Sequence, residues 1–100
     1  MIIRIVKLSI DPLKLDEFLS KFEFVKRDIR AFKGCRHMEL LGDLSGSGIV
    51  FTYSYWDSLQ ALEGYRTSPL FKSVWINVKP MFIAKAEAWS LEKLQEIGEE

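Results

Sequence analysis

The 100-residue chain predicts one α+β domain, with a core of about residues 2–90 and a short tail over 91–100. Three observations predict this class. The chain opens on a β-branched segment, continues with an amphipathic helical segment, and then repeats these element types in the order strand, strand, helix, strand. This β-α-β-β-α-β order is that of a ferredoxin-like plait, with an antiparallel four-stranded sheet and the helices on one face.

The first strand and the first helix have the clearest patterns. Residues 2–10 are β-branched and almost wholly apolar, which predicts a strand. Asp11 and Pro12 suit an N-cap and a first helical position. Apolar residues then recur every three or four positions as far as Phe32, and we expect Gly34 to end this helix as its C′ residue.

The middle of the chain predicts a hairpin. Residues 35–41 and 49–56 are strand-like, and the second segment is rich in β-branched and aromatic side chains. The glycine- and serine-rich segment 42–48 between them predicts a loop. The two strands are therefore expected to pair antiparallel.

A second helical region is expected in two pieces. Asp57 or Ser58 caps the first piece. Because a residue that precedes proline avoids helical backbone, Ser68 is expected to end the first piece and to cap the second, with Pro69 at its first position. Pro80 closes the second piece.

The end of the chain predicts one more strand, over residues 83–90. The charged tail that follows either forms a short helix on Leu91, Leu94 and Ile97 or frays. The sequence contains no internal repeat and no linker.

The first and third strands are apolar on both faces. A sheet with helices on one side and water on the other should alternate between apolar and polar residues. Residues 2–10 and 49–56 instead carry apolar or aromatic side chains at both odd and even positions. Because no further segment is available to cover the second face, we expect a homodimer whose two sheets face each other in a dimeric α/β barrel.

Composition excludes several classes of function. Lys plus Arg and Asp plus Glu number 14 each, which argues against general binding to nucleic acid or to anionic membranes. No apolar run reaches the ~20 residues that a membrane helix needs. The single cysteine, Cys35, and the lack of a signal-peptide pattern predict a cytoplasmic protein without disulfides. No metal-ligand cluster, flavin fingerprint or nicotinamide fingerprint is present.

Over about residues 2–90 the chain resembles the antibiotic biosynthesis monooxygenase (ABM) family of dimeric α/β barrels. The resemblance rests on the segment Phe32-Lys33-Gly34-Cys35, on an aromatic third strand that closes on Trp56-Asp57-Ser58, and on Tyr65-Arg66-Thr67-Ser68-Pro69-Leu70-Phe71. It implies a homodimer with a pocket between sheet and helices in each subunit. The family includes cofactor-free oxygenases of phenols and quinols, haem-degrading enzymes and members of unknown activity.

Haem degradation does not fit the residues. The haem-degrading members place an Asn on the first strand, a Trp in the second helical region and a haem-ligating His further along it. The positions that correspond to these three are Val6, Tyr65 and Trp75. Indole nitrogen only donates hydrogen bonds and cannot ligate iron, so Trp75 supplies no axial ligand.

The resemblance therefore favours a monooxygenase that needs no cofactor and that oxidises a small aromatic, phenolic or quinone-like ligand. Such a reaction needs a base or proton relay, a donor for the developing anion, and apolar walls. The candidate catalytic residues are His37, Tyr65 and Arg66. The candidate substrate-binding residues are Tyr53, Tyr55, Trp56, Phe71, Trp75, Lys79 and Phe82.

Structural roles are open for the same residues. His37, the only histidine, is alternatively bonded near Glu39 or to a partner chain, and Arg66 is alternatively an ion-pair partner of Glu63. The large aromatic residues are alternatively core side chains. The whole protein is alternatively a non-catalytic dimeric module that binds or senses a small molecule.

Overall fold

The computed structural model describes residues 1–98. Its elements in chain order are β1 (Ile2–Ser9), a 3₁₀ turn (Pro12–Lys14), α1 (Leu15–Arg30), β2 (Cys35–Gly42), β3 (Ile49–Trp56), α2 (Leu59–Arg66), α3 (Pro69–Val78), a second 3₁₀ turn (Lys79–Met81) and β4 (Glu87–Leu91). The four strands pair antiparallel in the order β2-β3-β1-β4. The ferredoxin-like plait is therefore confirmed.

The helix-covered face of the sheet carries the core, in two buried clusters. The larger cluster consists of Leu8, Ile10, Phe18, Val50, Val78 and Met81. The smaller cluster consists of Cys35, Trp56 and Leu62. The open face lies on the other side of the same strands, and no helix of residues 1–98 packs on it.

The first α-helix begins later and ends earlier than its sequence pattern predicts. Asp11 does act as a cap, since its Oδ1 accepts a hydrogen bond from the backbone N–H of Leu13 at 3.0 Å, but it caps the 3₁₀ turn. The α-helix itself ends at Arg30, so the expectation that Gly34 is its C′ residue is wrong. Gly34 has φ +90°, and an added Cβ would lie 2.5 Å from the Cβ of Ala61. It is required because the loop passes directly against α2.

The predicted break between α2 and α3 is confirmed. Ser68 has extended backbone, and its hydroxyl accepts from the N–H of Phe71 at 3.1 Å and donates to the carbonyl of Tyr65 at 2.6 Å. Pro69 takes the first helical position. One serine thus joins the end of α2 to the start of α3 and fixes the last turn of α2.

The last strand is shorter than predicted and begins later. Only residues 87–91 pair with β1, while Phe82 makes an isolated bridge to Ile10. Residues 92–98 have no regular structure, and Leu94 and Ile97 are each 85% exposed. Without a surface to cover, their apolar stripe does not stabilise a helix there. The tail residues 99–100 lie outside the described part of the chain.

Candidate functional site

A cavity of about 400 Å³ lies between the sheet and the helices. This volume falls within the range of small-molecule sites. Its apolar walls come from all four strands and all three helices, and they include Val6, Leu8, Phe18, Phe22, Met38, Trp56, Phe71, Val74, Trp75 and Ala88. The cavity touches both core clusters, because α1 and the α2–α3 pair do not close completely over the middle of the sheet.

A continuous row of aromatic rings forms one wall of this cavity. Trp56 stacks on Tyr65 with ring centroids 4.9 Å apart, and Tyr65 meets the edge of Phe71 at 5.3 Å. Phe71 in turn stacks on Trp75 at 5.8 Å. Three of these rings come from α2 and α3, so the Ser68 junction between those helices sets their spacing. Flat, apolar walls of this kind suit an aromatic ligand.

Tyr65 is the hydroxyl donor in this row. It lies in α2, one residue before the helix ends, and it lines the cavity. Burial, assisted by the neighbouring Cys35 thiol, raises the pKa of Tyr65 to about 12. The phenol therefore keeps its proton at neutral pH, where it donates a hydrogen bond and does not act as a base.

A polar row crosses the sheet at one end of the cavity. Arg4 of β1 lies between Ser54 of β3 and Ser90 of β4 in the strand register. Its Nη1 donates to the hydroxyl of Ser90 at 2.8 Å, while the indole N–H of Trp56 donates to Ser54 at 3.0 Å. Arg4 was not among the predicted site residues. Its position, at an even number in line with Val6, was the signal that places it on the helix-covered face.

Arg66 lines the same cavity, and its charge interacts with that of Arg4. The Arg66 Nη1 lies 2.8 Å from Oε1 of Glu63, which confirms this ion pair. Burial lowers the pKa of Arg4, the charge of Arg66 lowers it further, and Glu63 opposes both. Arg4 and Arg66 are the only charged residues among the described residues that line the cavity. Two cations therefore line a cavity whose other residues are mostly apolar.

His37 lies on the open face of the sheet, away from the cavity. It pairs with Tyr55 in the strand register, and its ring lies 5.3 Å from that of Tyr55 and 6.5 Å from that of Tyr53. Its Nε2 lies 3.4 Å from Oε2 of Glu39, and the two tyrosine hydroxyls are 3.1 Å apart. The structure thus groups His37, Tyr53 and Tyr55 together, but does not bring any of them to the cavity of their own chain.

An irregularity in the strand explains this placement. The sequence pattern puts His37 on the same side as Cys35, two residues earlier. The register between β2 and β3 shifts between these two residues, so Cys35 pairs with Trp56 on the helix-covered face while His37 faces the other way. A β-bulge of this kind reverses the side of every residue that follows it.

Two further candidates lie outside the cavity lining. Lys79 begins the second 3₁₀ turn and is exposed. Phe82 packs behind the wall, with its ring 5.4 Å from that of Trp75, and contacts the larger core cluster. The candidates that do line the cavity are Trp56, Tyr65, Arg66, Phe71 and Trp75.

Residues 1–98 contain neither a candidate metal site nor a membrane-spanning helix. No group of three or more His, Cys, Asp or Glu side chains stands close enough to hold a metal ion within that range. Nor does any helix there combine the length and the apolar character that crossing a bilayer requires.

The fold defines the class as an α+β plait, here with a cavity between the sheet and the helices. Residues 1–74 match the family model described as antibiotic biosynthesis monooxygenase. The chain belongs to that family, and this membership supports a general monooxygenase-type function. None of the curated proteins is a significant match to the chain.

Solved structures show the same fold at low sequence identity. A crystal structure of an antibiotic biosynthesis monooxygenase has a TM-score of 0.88 and 16% identity, and the match covers 95% of this chain and 100% of that one. A conserved protein from Methanosarcina mazei Go1 has a TM-score of 0.85 and 20% identity, with 93% of each chain covered. A protein from Mycobacterium tuberculosis also has a TM-score of 0.85 and 20% identity, with 97% of this chain and 98% of that chain covered.

Proposed function

We propose that the protein is a cofactor-independent monooxygenase that oxidises a small aromatic, phenolic or quinol substrate. The observation that carries the proposal is the 400 Å³ cavity, which joins aromatic walls to a tyrosine hydroxyl and two guanidinium groups. Membership in the monooxygenase family supplies the reaction type. The cavity supplies a hydrogen-bond donor and positive charge, both of which an anionic intermediate needs.

The chemistry can be written for a substrate with an activated ring methylene. Loss of one proton gives an enolate, which transfers electrons to O₂ and forms a carbon–oxygen bond. Protonation of the resulting peroxide gives a hydroperoxide, which loses water to leave a carbonyl group. One oxygen atom of O₂ enters the product and the other leaves as water, so the substrate itself is the only reductant.

Removal of the substrate proton is the step for which the described cavity lining offers least assistance. No described residue that lines it carries a carboxylate, an imidazole or an amine, and Tyr65 holds its own proton at neutral pH. We infer that the substrate ionises by its own acidity, and that Arg4 and Arg66 stabilise the anion by charge. This assignment gives the catalytic roles to Tyr65, Arg66 and Arg4, and none to His37.

The test is oxygen uptake with a panel of anthrones and hydroquinones, after subtraction of uptake without protein. Ala88→Trp fills the cavity from β4, and Ala84→Trp makes the same change at an exposed alanine outside it. We expect uptake by the wild type and by Ala84→Trp, and at least a tenfold loss in Ala88→Trp, with one ¹⁸O atom from ¹⁸O₂ in the product. No uptake across the panel would overturn the proposal.

The absence of a neutral-pH base from the described cavity lining favours a second candidate, a binding module without catalysis. In that case the aromatic walls and the two arginines only hold a ligand. Calorimetry separates the two. A ligand that binds tightly, but whose solution consumes no more oxygen with protein than without it, would identify the module.

We also propose that the protein is a homodimer that buries the open face of the sheet. The middle of this face is apolar or aromatic, with Ile5 of β1 paired to Tyr53 on one side and to Trp89 on the other. Trp89 remains 44% exposed in the single chain. At one edge Lys7 and Glu87 form an ion pair of 3.5 Å. An apolar centre with a charged rim is the usual anatomy of a protein interface.

Size-exclusion chromatography with light scattering tests the dimer. Ile5→Glu places a charge in the middle of the open face, whereas Ile76→Glu makes the same change on α3, where Ile76 is 73% exposed. We expect a dimer for the wild type and for Ile76→Glu, and a monomer for Ile5→Glu because an unpaired buried charge disfavours association. A monomeric wild type at micromolar concentration would overturn the interface.

We place the protein in the cytoplasm. The single cysteine, Cys35, is a buried thiol without a disulfide partner, as is common in a reducing compartment. Fractionation of the producing cells tests this location, and recovery of the protein outside the cytoplasmic fraction would contradict it.

A further inference from the structure

We propose that the ligand of the cavity is an aromatic carboxylate whose carboxylate group is received by Arg4 and Arg66. The inference rests on the proposed function, since it names the substrate class of the same cavity. It adds a requirement that the reaction chemistry does not impose, because an anthrone without a carboxylate would undergo the same oxidation.

Arg4 brings a positive charge from the sheet to the cavity. It is the only charged residue that the sheet contributes to the described cavity lining, and it stands in the middle of a polar row between Ser54 and Ser90. A guanidinium carries five N–H donors in a rigid fork. One hydrogen bond to Ser90 orients that fork and leaves further donors for a ligand. A sheet that needed only an apolar floor would not carry an arginine here.

Arg66 brings a second positive charge to the cavity, from α2. It follows Tyr65 in the last turn of α2, so the same helix brings a hydroxyl donor and a guanidinium to the cavity. Its Nη1 is held by Glu63, which leaves its other nitrogens available to a ligand. Carboxylates pair well with arginine forks, because two parallel N–H donors match two carboxylate oxygens.

The balance of charge at the cavity also favours a carboxylate. Arg4 and Arg66 repel each other, and Glu63 neutralises one of the two. One positive charge is left over at the polar end of the chamber. A carboxylate, with a single negative charge, neutralises this excess, whereas a phosphate monoester near pH 7 carries about −1.5 to −2 and exceeds it. Apart from Thr52 and Ser54, the rest of the described lining is apolar or aromatic, which suits a ring system as the body of the ligand.

Calorimetry with three probes of one ring system tests the inference without any oxidation. The probes are 2-naphthoate, its neutral isostere 2-naphthamide, and 2-naphthyl phosphate, each at low ionic strength. We expect 2-naphthoate to bind about tenfold more tightly than the amide, because it gains charge-assisted hydrogen bonds. The phosphate should bind less tightly than the carboxylate.

Variants assign the preference to the two arginines. Arg4→Met should reduce it, and the double variant Arg4→Met with Arg66→Met should abolish it. Arg4→Lys should keep part of it, because lysine retains the charge but lacks the fork. Arg27→Met, which removes an exposed arginine of α1 outside the cavity, should leave it unchanged. Circular dichroism checks that each variant is folded.

Three results would overturn the inference: equal binding of acid and amide, a preference that survives the double substitution, or tighter binding of the phosphate. Failure of the inference and failure of the proposed function are distinguishable. Oxygen uptake with a neutral anthrone, with one ¹⁸O atom in the product, but no preference for the carboxylate would leave the monooxygenase in place and remove the substrate class. A clear preference without any oxygen uptake would establish the carboxylate site and remove the reaction.

Discussion

The two faces of one sheet differ in what their side chains do, although the same strands supply both. On the helix-covered face, apolar residues surround a chamber that contains Tyr65 and two arginines at one end. On the open face, apolar residues lie half exposed beside a group formed by His37, Tyr53 and Tyr55. Aromatic and titratable residues therefore do not mark a site by themselves, because both faces have them. The cavity of about 400 Å³ lies under the helices.

The largest expected difference concerns stability. Trp56 is 1% exposed on the helix-covered face, and Trp56→Ala should lower the free energy of unfolding by about 3–5 kcal/mol because it leaves a cavity. Trp89→Ala removes the half-exposed indole of the open face and should cost less, with a loss that depends on protein concentration as dimerisation does. Urea unfolding at two protein concentrations measures both. Equal losses that do not depend on concentration would contradict the division of roles.

The next difference concerns oxygen uptake by tyrosine variants. Tyr65→Phe removes the hydroxyl donor of the cavity and should reduce uptake about tenfold, as expected for the loss of a hydrogen bond to an anion. Tyr55→Phe makes the same change on the open face and serves as the matched control, with uptake near that of the wild type. A larger loss in Tyr55→Phe than in Tyr65→Phe would move the site to the other face.

A smaller difference concerns the pH dependence of stability. The pKa of Tyr65 is raised to about 12 in the folded chain, from an ordinary value of about 10. Between these two values the unfolded chain releases this proton while the folded chain keeps it, so stability falls as the pH rises through that window. Tyr65→Phe should remove this part of the decline. A pH titration followed by tyrosinate absorbance checks this result. Of the ionisations of the three tyrosines, the late one that belongs to Tyr65 should be missing in Tyr65→Phe.

The smallest expected effect belongs to His37. Because its side chain lies on the open face, 3.4 Å from Glu39, His37→Gln should change oxygen uptake less than twofold. The oxygen electrode measures this at several pH values. A tenfold loss would mean that this imidazole reaches a reacting group through the partner subunit, and would return it to the catalytic role.

Much of the fold could be predicted because its determinants are local. The Ser68–Pro69 junction illustrates this, since the preference of a pre-proline residue for extended backbone and the capping bond of a serine act within three residues. Strand geometry puts Arg4 on the same face of β1 as Val6, but polarity did not identify that face, because β1 is largely apolar on both sides. The ends of elements were predicted less well. At Gly34, for example, a glycine is required because a side chain there would collide with Ala61 of α2.

The candidate site was less predictable because it depends on pairing between distant segments. The register shift between Cys35 and His37 is set by how β2 pairs with β3, and no local pattern reports it. The aromatic candidates of α2 and α3 were placed better, since helical periodicity directs Tyr65, Phe71 and Trp75 towards the sheet.

The most direct measurement of the central claim is a titration of the indole N–H signals with 2-naphthoate, followed by NMR. The three tryptophans divide between the faces, with Trp56 and Trp75 at the cavity and Trp89 on the open face. Substitution of each by phenylalanine assigns its signal. A ligand that binds under the helices should shift the signals of Trp56 and Trp75 and leave that of Trp89 in place. A shift of Trp89 alone would contradict the account and place the binding site on the open face.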